Sequence, residues 1–143
     1  MGRTLDYIEF MNYNVAGRRI REAKRVLLYG SCLFFEHLDV VEEYSRGRVP
    51  LAVCLEKTHV NMVITKLAGV LARVPLEELV VLTVDGSLHC VQLHMAVEEA
   101  LKISSKQLKV RHLVLERGEV IEVGGKSVKT ARYLSKVEKL LSR

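Results

Sequence analysis

Short apolar runs alternate with longer segments of helical periodicity through most of this sequence, and that alternation leaves few folds open. The runs at 26–29, 51–55 and 79–84 are each followed by a turn and then by amphipathic sequence. The strongest, Leu79-Val80-Val81-Leu82-Thr83-Val84, is continuous and β-branched, as a strand buried on both faces must be. Parallel strands need a crossover of roughly a dozen or more residues, and the intervening segments supply one each time. A fourth strand is expected at 109–115, and 119–123 pairs back on it as a β-hairpin across Arg117-Gly118. The fold class that follows is α/β: three layers around a mainly parallel sheet, Rossmann-like or flavodoxin-like, ending in a C-terminal β-hairpin and helix. With 143 residues, the chain makes one such domain, 1–143.

Helical spacing of Leu5, Ile8, Met11 and Val15 predicts a first helix from Thr4, its N-cap, to Arg25, with Gly17 weakening the middle. A second helix is expected over about 35–45, stopped by Gly47 and Pro50. Thr58 is placed to cap a third over 59–73, which is apolar on nearly every side and so predicted to be deeply buried or packed on another subunit. Ser87 begins a fourth, with Cys90, Leu93, Ala96, Val97, Ala100 and Leu101 on one face. Leu88, Val91 and Met95 form a leftover strip beside it, the basis for expecting a homodimer. The last helix, 127–141, directs Ala131, Leu134, Val137 and Leu141 inward.

The composition, 49% hydrophobic and 27% charged, is that of a soluble globular protein, and no apolar stretch approaches the roughly 18 residues that cross a bilayer. The polar start Met1-Gly2-Arg3-Thr4-Leu5-Asp6 carries no secretory h-region. Three cysteines at wide spacing do not make a disulfide framework, so a reducing cytoplasm is the expected setting. Few amides beside many charges give a thermophile-like bias.

All three cysteines lie in the three segments that open with these runs and end at what becomes the carboxyl edge of a parallel sheet, where open α/β folds bind ligands. Cys32 comes after Gly30-Ser31, where glycine permits a tight turn and close approach. Cys54 is read as part of its strand. Cys90 falls in the first turn of a helix, where free N–H groups and the helix dipole favour a thiolate, and His94 follows one turn later. Cys32, Cys54 and Cys90, supplemented by His59 or His94, make a candidate site for zinc, an iron–sulfur cluster or thiol redox chemistry. No Cys-x-x-Cys pair supports it, and a cysteine is equally suited to packing a core. The same edge offers a second reading. Gly30, Ser31, Lys57, Thr58, Asp85, Gly86 and Ser87 suit a nucleotide or other anionic small molecule, though turns and N-caps alone require most of them.

Gly124-Gly125-Lys126-Ser127 precedes a helix, but Val120 stands where a P-loop needs its first glycine. Lys129, Arg132, Lys136 and Lys139, with Arg143, form a basic arc on the last helix, and the net charge is +5. A nucleic-acid interface is the third reading, set against a solvated helix face, which the absence of a stacking platform favours. No motif assigns a reaction, so whether the chain is an enzyme stays open.

Overall fold

Five strands form one sheet in the order β2-β1-β3-β4-β5 in the computed structural model, which describes residues 5–143. They are β1 (Arg25–Gly30), β2 (Val49–Val53), β3 (Glu78–Val84), β4 (Lys109–Glu116) and β5 (Glu119–Val123). The first four are parallel, with Leu28 opposite Leu51 on one side and Val81 on the other, and β5 runs antiparallel to β4. The helices are α1 (Arg18–Ala23), α2 (Cys32–Glu36), α3 (Leu38–Ser45), α4 (Val60–Arg73), α5 (Leu88–Ser104), α6 (Gly125–Thr130) and α7 (Leu134–Leu141). This is the expected three-layer α/β fold. No helix among the described residues is long and apolar enough to cross a membrane.

Alternation along the strands divides the core in two. Val26, Leu28, Leu79 and Val81 meet Val63, Leu67, Val70 and Leu71 of α4 and Leu93, Val97 and Ala100 of α5. Leu27, Tyr29, Val80 and Leu82 meet Leu33 of α2 and Val41 of α3 on the opposite face. The chain therefore leaves β1 for one face and β3 for the other. Between those two strands the sheet opens a crevice at its carboxyl edge. Tyr29 is fully buried, its hydroxyl has no hydrogen-bond partner among the described residues, and burial raises its pKa. An unpaired buried hydroxyl costs about 1–3 kcal/mol. Tyr29→Phe should therefore leave the urea midpoint unchanged or raise it, whereas a loss would mean that the hydroxyl is paired.

Several elements depart from the sequence reading. Thr4 lies outside the described residues, and residues 5–9 are not helical. Ile8 O accepts from Ala52 N–H at 2.8 Å and Glu9 bridges Ala52 in parallel, so this segment lies along β2. Leu5 packs into one core and Ile8, Met11 and Val15 into the other, which accounts for a helix-like spacing without a helix. Pro50 does not bound β2 but sits in it, opposite Leu27, as an edge strand allows. Cys54 consequently lies just past the strand. At α4 the N-cap is His59, not Thr58, and His59 Nδ1 accepts from Asn61 N–H at 3.1 Å. One face of α4 is open, with Met62 60% exposed. The last helix is two, because Tyr133 leaves the helical region and its carbonyl restarts the bonding. Leu134 and Leu141, expected inside, are 80% and 76% exposed.

Candidate functional site

The crevice between β1 and β3 holds a cavity of about 150 Å³. Gly30, Ser31 and Cys32 enter it from the end of β1 and the start of α2, Val53 and Cys54 from the end of β2, and Thr83, Ser87, His89 and Cys90 from the end of β3 and the start of α5. All three cysteines of the chain thus line one cavity, although they come from three separate strand ends. None is in a disulfide. Cys32 is exposed, and Cys54 and Cys90 are half-buried.

Gly30 leaves room between two of the thiols. A β-carbon there would lie 3.7 Å from Cys90 Sγ and 4.0 Å from Cys32 Sγ, in the space between the two thiols. Those are ordinary contact distances, so alanine fits without displacing the fold. Gly30→Ala should keep or slightly raise stability, since glycine in a strand is the costlier residue. It should also slow the reaction of Cys90 with a bulky thiol reagent severalfold. Unchanged Cys90 reactivity would mean that the thiol is approached from another side.

Burial first, then the neighbouring Cys90 and Glu36, push the Cys32 thiol up. The first hydrogen bond within α5 is Val91 N–H to Ser87 O, and Ser87 makes no side-chain cap. The amides of Leu88, His89 and Cys90 are left without helical acceptors. A second cavity, about 390 Å³, adjoins the first through Ser31, Val53 and Cys54 and is lined by Tyr7, Glu9, Phe35, Lys57 and Thr58. Tyr7, Phe34 and Phe35 cluster beside it with centroids 4.9–5.5 Å apart. Lys57 Nζ lies 3.3 Å from Glu9 Oε1.

The sequence-predicted residues therefore sort into four groups. Cys32, Cys54, Cys90, Gly30, Ser31 and Ser87 share the first cavity, and Lys57 and Thr58 line the second. Asp85 and Gly86 form the exposed turn after β3, where φ of +90° at Gly86 suits glycine. His59 and His94 are not among the residues that line either cavity. His59 is engaged in capping α4, and His94 is buried beneath α5, where Thr83 Oγ1 and His112 Nδ1 each lie 2.8 Å from its ring. In this arrangement both imidazole nitrogens of His94 are engaged by Thr83 and His112 rather than by anything at Cys90. The histidine that does reach the cavity is His89, one residue before Cys90. As the side chains stand, no group of three or more His, Cys, Asp or Glu among the described residues is close enough to hold a metal ion.

The basic residues do not share one helix: Lys129 is in α6, Arg132 in the turn after it, and Lys136 and Lys139 in α7. Arg132 pairs with Glu99 at 3.5 Å, and Lys136 stands over the Tyr133 ring. Leu88 and Val91 are exposed at the rim of the site, at 71% and 41%, while Met95 is half-buried.

A family model described as a Rossmann-like domain matches residues 19–141. No curated protein and no solved structure matches the chain.

Proposed function

We propose that this chain, which belongs to the Rossmann-like domain family, is a ligand-binding domain whose pocket takes a soft, thiophilic ligand: a zinc-like ion or an iron–sulfur centre. The observation that carries this reading is the lining of one cavity by all three cysteines. The donor set fits in kind, since thiolates with an imidazole are what such ions take. Cys32, Cys54 and Cys90 would supply the sulfurs and His89 a nitrogen. Because the four are not gathered in advance, binding has to draw the side chains together and release the thiol protons, which makes affinity rise with pH. Bound there, such a centre would supply a Lewis acid or an electron acceptor.

The test is anaerobic titration with zinc, and separately with ferrous iron and sulfide, followed by elemental analysis, absorption and a count of reactive thiols. One equivalent of either centre, with three thiols protected together and protection lost in each Cys→Ser variant, is the expected result. Thiols that stay independently reactive at saturating metal would overturn it.

The uncapped start of α5 and the nearby Lys57 favour a second reading, a small anion such as a nucleotide phosphate. It differs in its outcome. Pyrophosphate or a nucleotide would raise the melting temperature, Lys57→Ala would weaken that response, and the Cys→Ser variants would keep it.

A further inference from the structure

Thr83 of β3, His94 and Glu98 of α5 and His112 of β4 form an unbroken hydrogen-bonded line. Thr83 Oγ1 is 2.8 Å from His94 Nε2, His94 Nδ1 is 2.8 Å from His112 Nδ1, and His112 Nε2 is 2.8 Å from Glu98 Oε2. Thr83, His94 and His112 are each at most 3% exposed, whereas the Glu98 side chain is 27% exposed. Thr83 also lines the first cavity. One end of the line is therefore at the pocket and the other is at solvent.

The direction of the bonds follows from valence. A neutral imidazole has one donor and one acceptor, and an ionised carboxylate only accepts. With His112 neutral, its Nε2–H donates to Glu98 and its bare Nδ1 accepts from His94 Nδ1–H. His94 Nε2 is in turn bare and accepts the Thr83 hydroxyl. Burial and the adjacent His112 keep His94 neutral, its pKa held at about 3. Glu98 is the one charged side chain bonded to the line among the described residues. Gly125 at the start of α6 lies against its carboxylate, and the neighbouring Glu99 is taken by Arg132.

We propose that Thr83, His94, His112 and Glu98 are a proton relay between the pocket and the surface. A ligand group bearing an exchangeable O–H or N–H gives its proton to Thr83 Oγ1, and the Thr83 proton passes to His94 Nε2. The His94 Nδ1 proton passes to His112 Nδ1, and the His112 Nε2 proton passes to Glu98. The ligand loses one proton, the carboxylate gains one, and both imidazoles stay neutral with their tautomers exchanged. Two buried imidazoles in nitrogen-to-nitrogen contact are a costly way to fill a core that apolar side chains would fill as well. What they add is passage of a proton. The relay opens on the pocket described above but does not depend on which ligand occupies it, so its test uses none.

Histidine ring nitrogens labelled with ¹⁵N report the tautomers directly. Near neutral pH, His94 should carry its hydrogen on Nδ1 and His112 on Nε2, with a scalar coupling between the two Nδ1 atoms. Acidification that puts a proton on Glu98 should invert both rings together. Glu98→Gln keeps the accepting oxygen but cannot take up the proton, so the inversion should be lost. Thr83→Val should block it at the other end, and Thr83→Ser should restore it. Absence of the coupling, rings that titrate separately, or a His94 hydrogen fixed on Nδ1 down to the acid unfolding midpoint would overturn the relay. Inversion unchanged in Thr83→Val would overturn its opening on the pocket. Glu98→Gln, at a partly exposed position, decides the matter if Thr83→Val does not fold.

Discussion

Acidification from pH 7 to 4.5 should cost the fold about 2.5 kcal/mol through His94 alone. Its pKa falls from 6.5 to about 3 in the folded chain, chiefly through burial and secondarily through His112. A base whose folded pKa is depressed takes up its proton in the unfolded state first. The stability it contributes is therefore complete above about pH 6.5 and declines as pH falls toward 3. Integrated over the whole window the loss approaches about 5 kcal/mol, a large share of the margin of a small domain. Urea denaturation at pH 7, 6, 5 and 4.5 measures it. The decline should begin above the carboxylate range, and His94→Gln, lacking an ionisable ring, should flatten that upper part. A wild-type profile flat from pH 6.5 to 5 would mean that the ring is solvated or already charged.

Arg48→Ala should cost about 3–5 kcal/mol, because it strands a carboxylate in the sheet. Glu78, at the first position of β3, has a side chain only 8% exposed, and Arg48 Nε reaches its Oε1 at 2.6 Å. The hydrogen bond to Arg48 comes first among the influences that hold the Glu78 carboxyl below its usual range. Lys109 Nζ, at 3.7 Å and largely exposed, is a weak substitute. Arg48 also donates to Tyr44 O, tying the end of α3 to the sheet. Replacing both partners, as in Arg48→Met with Glu78→Leu, removes the stranded charge and should recover most of the loss in urea denaturation. The pair sits at the amino edge of the sheet, so metal uptake at the opposite edge should be unchanged in the folded variants. Equal costs for the single and double replacements would show that the charges are not coupled.

The sheet was legible because its strands are continuous apolar runs, a signal that survives any tertiary arrangement. Each predicted strand lies within one residue of the observed one, apart from the two-residue shift of β2 caused by Pro50. Proline is excluded from central strands, and nothing local reveals that β2 lies at an edge. The N-terminal segment was misread because Leu5 and Ile8 are spaced by the two cores they enter, not by a helical turn. Convergence of the cysteines was legible through topology alone: strands that are parallel must end on the same side. Which histidine joins them was not, because His89 and His94 differ by the rotation of α5 about its axis. His112 was missed altogether. Its signal was present, a polar residue at an inward position between Val110 and Val114, but its partners lie on another element.

The N-terminal segment along β2 bears on the company the molecule keeps. Each outer strand of an open sheet displays unpaired amide and carbonyl groups, a template on which a foreign strand can zip. At β2 the chain reads its own template: Ala52 N–H is satisfied by Ile8, and Pro50 has no N–H to offer. At β5 the defence is electrical, with Glu119 and Glu122 carried on a short, mostly exposed strand and Arg111 beside them. One flank is occupied and the other repels. Together they let a sheet built from some of the most aggregation-prone runs in the sequence remain a sheet of five strands.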